Sequence, residues 1–244
     1  MFTIWACNKA DLLEPTVKTD PGTPAENEVY ETAESVGAWH NSCLNYLYDH
    51  FIALKEAEWT ATEEEFDAEL KGKILDYFTL TGHPAPDIEI TLEENFNHAY
   101  FSNEGESIVT QIEAGIDNYE ADLLTLEQFM ELMDEVQIAA SSLDIEEERY
   151  IIAITASVAK YSALYWETDG LKYMNFYTNG NHEKANPAQI AALKQDAAGA
   201  FWGTVGGLAT GNPVAGVFGG MFVAAYRSSV EGFRQKGYDC WFCP

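Results

Sequence analysis

AAGAFWGTVGGLATGNPVAGVFGGMFVAAYRSSVEG, from Ala197 to Gly232, is the stretch whose packing decides the architecture. Gly199, Gly203, Gly207 and Gly211 recur every fourth residue, and after Asn212-Pro213 a second ladder runs Gly216, Gly220, Ala224, Ser228, Gly232. A step of four places small residues in a strip along one helix face, where two backbones can approach closely. Each glycine inside a helix costs about 1 kcal/mol against alanine, so the strip is tolerable only if it packs. The stretch therefore predicts tight helix-on-helix contact, and by itself it predicts no chemistry.

Ala197 to Tyr226 contains no charged residue. A membrane-spanning helix needs about 20 predominantly apolar residues, and Asn212-Pro213 divides the run into arms too short to cross singly. Proline disfavours helical geometry in the residue before it and removes a backbone donor. Gly211-Asn212-Pro213 reads as the turn of a helical hairpin, with glycine at the C-terminal cap and proline opening the second arm. Phe201, Val205 and Leu208 on one arm, and Val217, Phe218, Met221 and Phe222 on the other, lie off the small strip and need a cover. The rest of the chain can supply it, giving a buried hairpin; the alternative is that the hairpin meets a bilayer or a partner's helices.

The chain has 244 residues, 13 of them Lys or Arg against 40 Asp or Glu, for a net charge of −27. The acidity is unevenly placed. Residues 187–244 hold Lys194, Arg227, Arg234 and Lys236 against Asp196, Glu231 and Asp239, so the negative charge belongs to residues 1–186. Such a surface repels phosphate backbones and anionic lipid, which argues against a nucleic-acid partner. Hydrophobic residues at 47% and aromatics at 13% argue against disorder of the whole chain.

Phe2-Thr3-Ile4-Trp5-Ala6-Cys7 is similar to the end of a bacterial lipoprotein signal, in which a cysteine after a small residue is lipidated. It lacks a basic start and a full-length apolar region, so this reading implies a beginning upstream of Met1. Asn8 to Glu28, with Pro15, Pro21 and Pro24 among polar residues, has the composition of an extended tether. Cys7 is thus the expected lipidation site and membrane anchor. Cys240 and Cys243, at the C-terminus, read as a local disulfide or as part of an unstructured tail; zinc would need two more ligands that nothing nearby supplies. Cys43 reads as a core thiol.

Between these ends the periodicity is helical. Val29, Ala33, Val36, His40, Leu44, Leu47, Phe51 and Leu54 recur at threes and fours, predicting a helix over 25–59. Thr60-Ala-Thr-Glu63 reads as a capping box before a helix over 63–80, and Thr81 to Asp87 as a loop. Short helices are expected over 92–101 and 106–116, broken at Ser102-Asn-Glu-Gly105. Thr125-Leu-Glu-Gln128 caps another over 126–141, and Asp144-Ile-Glu-Glu147 starts the most apolar one, with Tyr150 to Trp166 reading as the hub. Thr168 to Asn186 is a polar loop, after which Asn186-Pro187 opens the final segment. Strand alternation is nowhere sustained. The fold class is all-α: a multi-helix bundle with a C-terminal glycine-rich helical hairpin, divided as a terminal segment and tether at 1–24, an acidic helical domain at 25–184, and the hairpin with its cysteine tail at 185–244.

No metalloprotease helix, phosphate loop, nucleophile elbow or dinucleotide fingerprint occurs. Asp117 to Asp122 only hints at a calcium loop, since Tyr119 stands where an oxygen ligand belongs. Neither metal nor cofactor is expected. His40-Asn41 is the polar pair that stands out, because His40 lies within an apolar stripe and a buried imidazole needs partners. Gly37-Ala-Trp-His40-Asn41-x-x-Leu44-Asn-Tyr46, Ser157-Val-Ala-Lys160-Tyr161-Ser162-x-x-Tyr165-Trp166 and the glycine ladders together resemble a family of uncharacterised bacterial proteins with an all-helical N-terminal region and a glycine-zipper tail. That resemblance implies no activity. The tail alone is also similar to bacteriocin-like and outer-envelope glycine-zipper segments.

The expectation is a non-enzymatic, envelope-associated lipoprotein, in which Gly199, Gly203, Gly207, Gly211, Gly216, Gly220 and Ala224 mediate helix packing, self-association or contact with a protein partner. Its rivals are a membrane-active, toxin-like protein and a hydrolase or metal enzyme built around His40.

Overall fold

The computed structural model describes residues 24–87, 95–171 and 187–234, and all regular structure among them is helical. The order is α1 (Pro24–Glu56), α2 (Glu63–Thr81), a 3-10 turn (His98–Tyr100), α3 (Asn103–Glu120), α4 (Leu126–Ser141), α5 (Glu146–Glu167), α6 (Pro187–Leu208) and α7 (Pro213–Arg234). Among these residues no helix is long and apolar enough to cross a membrane.

The stripe expected on α1 is its buried face: Val29, Ala33, Val36, His40, Leu44, Leu47 and Phe51 are all removed from solvent. The helix stops three residues short of Trp59. Glu58 adopts a left-handed φ of 55°, and the Trp59 N–H donates back to the Leu54 carbonyl at 2.9 Å. This is a six-to-one helix closure of the kind usually made by glycine. With Trp59 folded back, Thr60 and Ala61 are used to reach the next helix, so the capping box forms two residues later than Thr60-Glu63. Thr62 accepts from the Glu65 N–H at 3.2 Å, and Glu65 accepts from the Thr62 N–H at 2.8 Å. Thr62→Ala is expected to cost about 1 kcal/mol, and Thr60→Ala close to nothing, compared through urea midpoints. The second box, Thr125 with Gln128, stands where the sequence placed it.

The expected break at Ser102–Gly105 is instead the first turn of α3. Ser102 caps it, and Glu148, reaching across from α5, accepts from the Ser102 N–H at 2.6 Å and from its hydroxyl at 2.8 Å. A Cβ on Gly105 would lie 2.3 Å from that carboxylate, so glycine leaves room for an anion over a helix N-terminus. At the other end of α3, Asp117 to Glu120 are the last helical turn and Tyr119 is buried, which overturns the hint of a calcium loop. Of the helix expected over 92–101, residues 92–94 lie outside the described residues and the remainder contains only the 3-10 turn.

Ile152 to Ala159 on α5 are 0% exposed without interruption. α5 packs against α1, α4 and α6 and also touches α3 and α7, which is why every side of it is apolar. α6 and α7 lie against each other. A Cβ on Gly199 would fall 2.6 Å from Ala224 Cα, on Gly203 2.1 Å from the Gly219 carbonyl oxygen, and on Gly207 2.1 Å from the Ala215 carbonyl oxygen. Steps of four back along α6 thus meet steps of about four forward along α7, an antiparallel pairing of backbones. Between the arms Gly211 takes φ 75°, the Asn212 side chain accepts from the Val214 N–H at 3.0 Å, and Pro213 opens α7.

Of the bulky residues off the strip, Phe201, Val217, Met221 and Phe222 are buried within the chain, and Val205, Leu208 and Phe218 are half-buried. Phe201 stacks on Phe96 at 5.0 Å, while Phe218 and Phe222 pack against Phe78 of α2 at 5.9 and 6.2 Å. The largest apolar core runs from Val29 of α1 to Tyr226 of α7.

Candidate functional site

Three helices bring their polar residues to one buried point. α1 contributes His40 and Asn41, α5 contributes Ser162 and, one turn on, Trp166, and α6 contributes Asp196. His40, Ser162 and Asp196 are all 0% exposed. Asp196 is the centre: Oδ1 lies 2.8 Å from His40 Nε2, and Oδ2 accepts from Ser162 Oγ at 2.5 Å and from Trp166 Nε1 at 3.3 Å. The Asn41 amide donates to the Tyr161 carbonyl at 2.8 Å, an acceptor that fixes which end of the amide is nitrogen. Its oxygen therefore faces His40 Nδ1, at 3.2 Å. With an acceptor at each ring nitrogen, the hydrogen bonding fits a doubly protonated imidazolium beside a carboxylate.

The composition is that of a serine-histidine-aspartate triad, but the connectivity is different. In a catalytic triad the histidine stands between the serine and the acid, so that it can take the hydroxyl proton. Here Asp196 stands in the middle, and His40 and Ser162 both spend a hydrogen bond on it. No imidazole faces the Ser162 hydroxyl, whose hydrogen bond goes straight to the Asp196 carboxylate, and neither group reaches solvent. A buried ion pair is tolerable when its remaining hydrogen-bonding capacity is filled, as it is in this cluster. What it does is bolt α6 to α1 and α5.

A second ionic cluster lies at the junction of α1, α4 and α5. Lys160 Nζ donates to Glu34 Oε1 at 2.5 Å and to Asp134 Oδ1 at 2.7 Å, and sits 4.9 Å above the Tyr161 ring. Tyr161 donates to Glu34 Oε2 at 3.1 Å. Burial raises the Asp134 carboxyl above its ordinary range, against the opposing hydrogen bond and charge of Lys160. Burial, with Glu34 next, pushes the Tyr161 hydroxyl up as well. An ammonium held between two carboxylates is no nucleophile, so this too is a fastening. Lys160→Met leaves the carboxylates facing each other without their cation and is expected to cost about 2 kcal/mol at neutral pH. A carboxyl whose folded-state pKa lies above its unfolded value binds more protons folded than unfolded, so stability rises as pH falls. Part of the loss should therefore return between about pH 7 and 5, read as urea midpoints at each pH.

Among the described residues the remaining histidines are dispersed: His50 pairs with Glu69 at 2.7 Å and His98 with Glu113 at 3.0 Å, while His83 lies among aromatic rings. Burial raises the Cys43 thiol well above its ordinary value, which makes it inert. Among the described residues no group of three His, Cys, Asp or Glu side chains could hold a metal ion. Cys7, Cys240 and Cys243 lie outside the described residues. A cleft of about 600 Å³ lies between α3 and α6, where Lys194 meets Asp117 and Glu120 at 3.6 and 2.6 Å.

His40, Asn41, Ser162 and Trp166 stand in the sequence motifs quoted above; Asp196 does not. The signal that could have found it is its position on the N-terminal continuation of the glycine strip, three residues before Gly199, where a lone carboxylate entering a buried face needs partners. Compared with known family models, curated proteins and solved structures, the chain matches none.

Proposed function

We propose that the chain is a non-catalytic, envelope-associated helical body that works through its outer surface and is held to a membrane by lipidation at Cys7. The observation that carries the non-catalytic part is the closed polar cluster: the residues that most resemble a catalytic set are fully buried and saturated by one another. The anchoring part rests on the sequence around Cys7 and on the polar, proline-containing stretch after it. Strongly acidic helices facing water favour solubility and would stand off an anionic membrane surface, which suits a body displayed at the end of a tether. The glycine hairpin then serves as the internal pillar of that body. Its use as a membrane-inserting arm would require His40, Ser162 and Trp166 to release Asp196.

Histidine modification by diethylpyrocarbonate tests the closed cluster. His50 and His98, each partly exposed, are expected to react in the folded protein, and His40 only on unfolding. Reaction of His40 at the rate of His50 would overturn the non-catalytic reading. Mass spectrometry of protein made from its full reading frame in the native host tests the anchor. An unmodified Cys7 there removes it and leaves the other half of the proposal standing.

A further inference from the structure

Glu28, Glu31 and Trp39 lie on one face of α1, and Val214, Val217 and Phe218 recur at three and four on α7. Between these two stripes runs a groove of about 490 Å³, whose lining among the described residues comes from α1 and α7. Its floor is apolar: Val217 is buried, and Trp39 and Phe218 are half-buried and stacked with ring centroids 5.7 Å apart. His83 braces both rings from behind, at 4.3 and 4.9 Å. Val214, at the lip, is 48% exposed. The rim on α1 is acidic, because Glu28 and Glu31 are exposed and pair with no cation among the described residues.

We propose that this groove docks an amphipathic helix of a basic partner protein. Two helix stripes with an open trough between them are the seat a third helix takes in a bundle. From residue 28 to residue 39 the groove runs about 16 Å along α1, the length of three helical turns. Apolar side chains of the partner lie on Val217, Phe218 and Trp39, an aromatic floor of the type that carries binding energy. Its lysines and arginines meet Glu28 and Glu31, and a guanidinium can lie over the open part of the Trp39 ring. The charge settles the class of occupant. A body with a net charge of −27 attracts a cationic segment from a distance and repels nucleic acid and anionic lipid. The inference deepens the reading of this body as a binding surface and does not depend on the tether.

The probe is a fluorescently labelled 14-residue leucine–lysine peptide, helical and apolar on one face, titrated with the full chain and followed by anisotropy. Glu28→Lys with Glu31→Lys is expected to weaken binding about tenfold, and Val214→Glu by a similar factor. The control, Glu63→Lys with Glu64→Lys on α2, changes the net charge equally and is expected to weaken it less than about threefold. All these positions are exposed, and circular dichroism melts check that each variant folds. Equal weakening by the control would mean diffuse charge attraction and overturn the groove. So would failure of the unmodified chain to bind the peptide, or equal binding of a leucine–glutamate peptide of the same pattern. Sedimentation showing a dimer that Val214→Glu dissociates would put a second copy in the groove and overturn the basic partner. Loss of Cys7 lipidation would leave every one of these outcomes unchanged.

Discussion

Asp196→Ala is expected to lower the stability of the folded chain by about 5 kcal/mol, a large part of the 5–15 kcal/mol that separates most folded domains from their unfolded states. Removing one partner of a buried ion pair costs roughly 3–5 kcal/mol because the other charge is left without compensation. Here the Ser162 hydroxyl and the Trp166 indole lose their acceptor at the same moment, and each stranded donor adds about 1 kcal/mol or more. Asp196→Asn is expected to cost less than half as much. One amide oxygen can still accept from Ser162 and Trp166, and the amide nitrogen can donate to a neutral imidazole. Combining Asp196→Leu with His40→Leu should recover about half of the loss: replacing both members of a buried pair by apolar groups is often nearly neutral, while Ser162 and Trp166 still lack their acceptor. Urea unfolding followed by circular dichroism reads all three. A cost below about 1 kcal/mol for Asp196→Ala would mean that α6 is not bolted through this residue.

The same cluster marks the limit of what the sequence of this molecule specifies legibly. Helix identity was legible wherever periodicity and caps agreed: α4 begins and ends where Thr125-Leu-Glu-Gln128 and the apolar spacing put it, and the all-round apolar character of Tyr150 to Trp166 marked the hub. Boundaries failed where a non-glycine residue did a glycine's task. Glu58 at a positive φ closes α1, and no composition rule for turns points to it. Gly105 misled in the opposite sense. It reads as a breaker from its neighbours alone, and only the arrival of Glu148 from 43 positions along the chain explains why a glycine opens α3. His40 was recognisable as a buried imidazole in need of partners, yet its acid lies on a helix 156 residues away. Periodicity assigns a residue to a face; it does not say which face of which other helix will meet it. Tertiary pairing of polar groups is therefore the part of the candidate site that a single sequence leaves open.

Two methyl groups on the hairpin should produce the other large effect, and a third placed between them should do the reverse. Gly203→Ala is expected to cost about 2 kcal/mol: overpacking against a fixed obstacle runs to about 3 kcal/mol, and the gain in helix propensity returns about 1. The obstacle is the Gly219 carbonyl, 2.1 Å from the added Cβ, and a backbone atom moves only if the two helices part. Gly207→Ala meets the Ala215 carbonyl at the same 2.1 Å and should cost a similar amount. The double variant should lose about 3 kcal/mol rather than the sum, because helices already pushed apart by one methyl admit the second at lower cost. Gly206 has nothing within 4 Å of its Cβ position, so Gly206→Ala should stabilise by up to about 1 kcal/mol. The three glycines lie within five residues on one helix and share the same composition, the same charge-free surroundings and the same propensity. A difference in sign between Gly206 and its neighbours can then come only from the backbone lying opposite. If all three alanines stabilise alike, α6 and α7 do not touch backbone to backbone, and the pillar on which the bundle is built is not there.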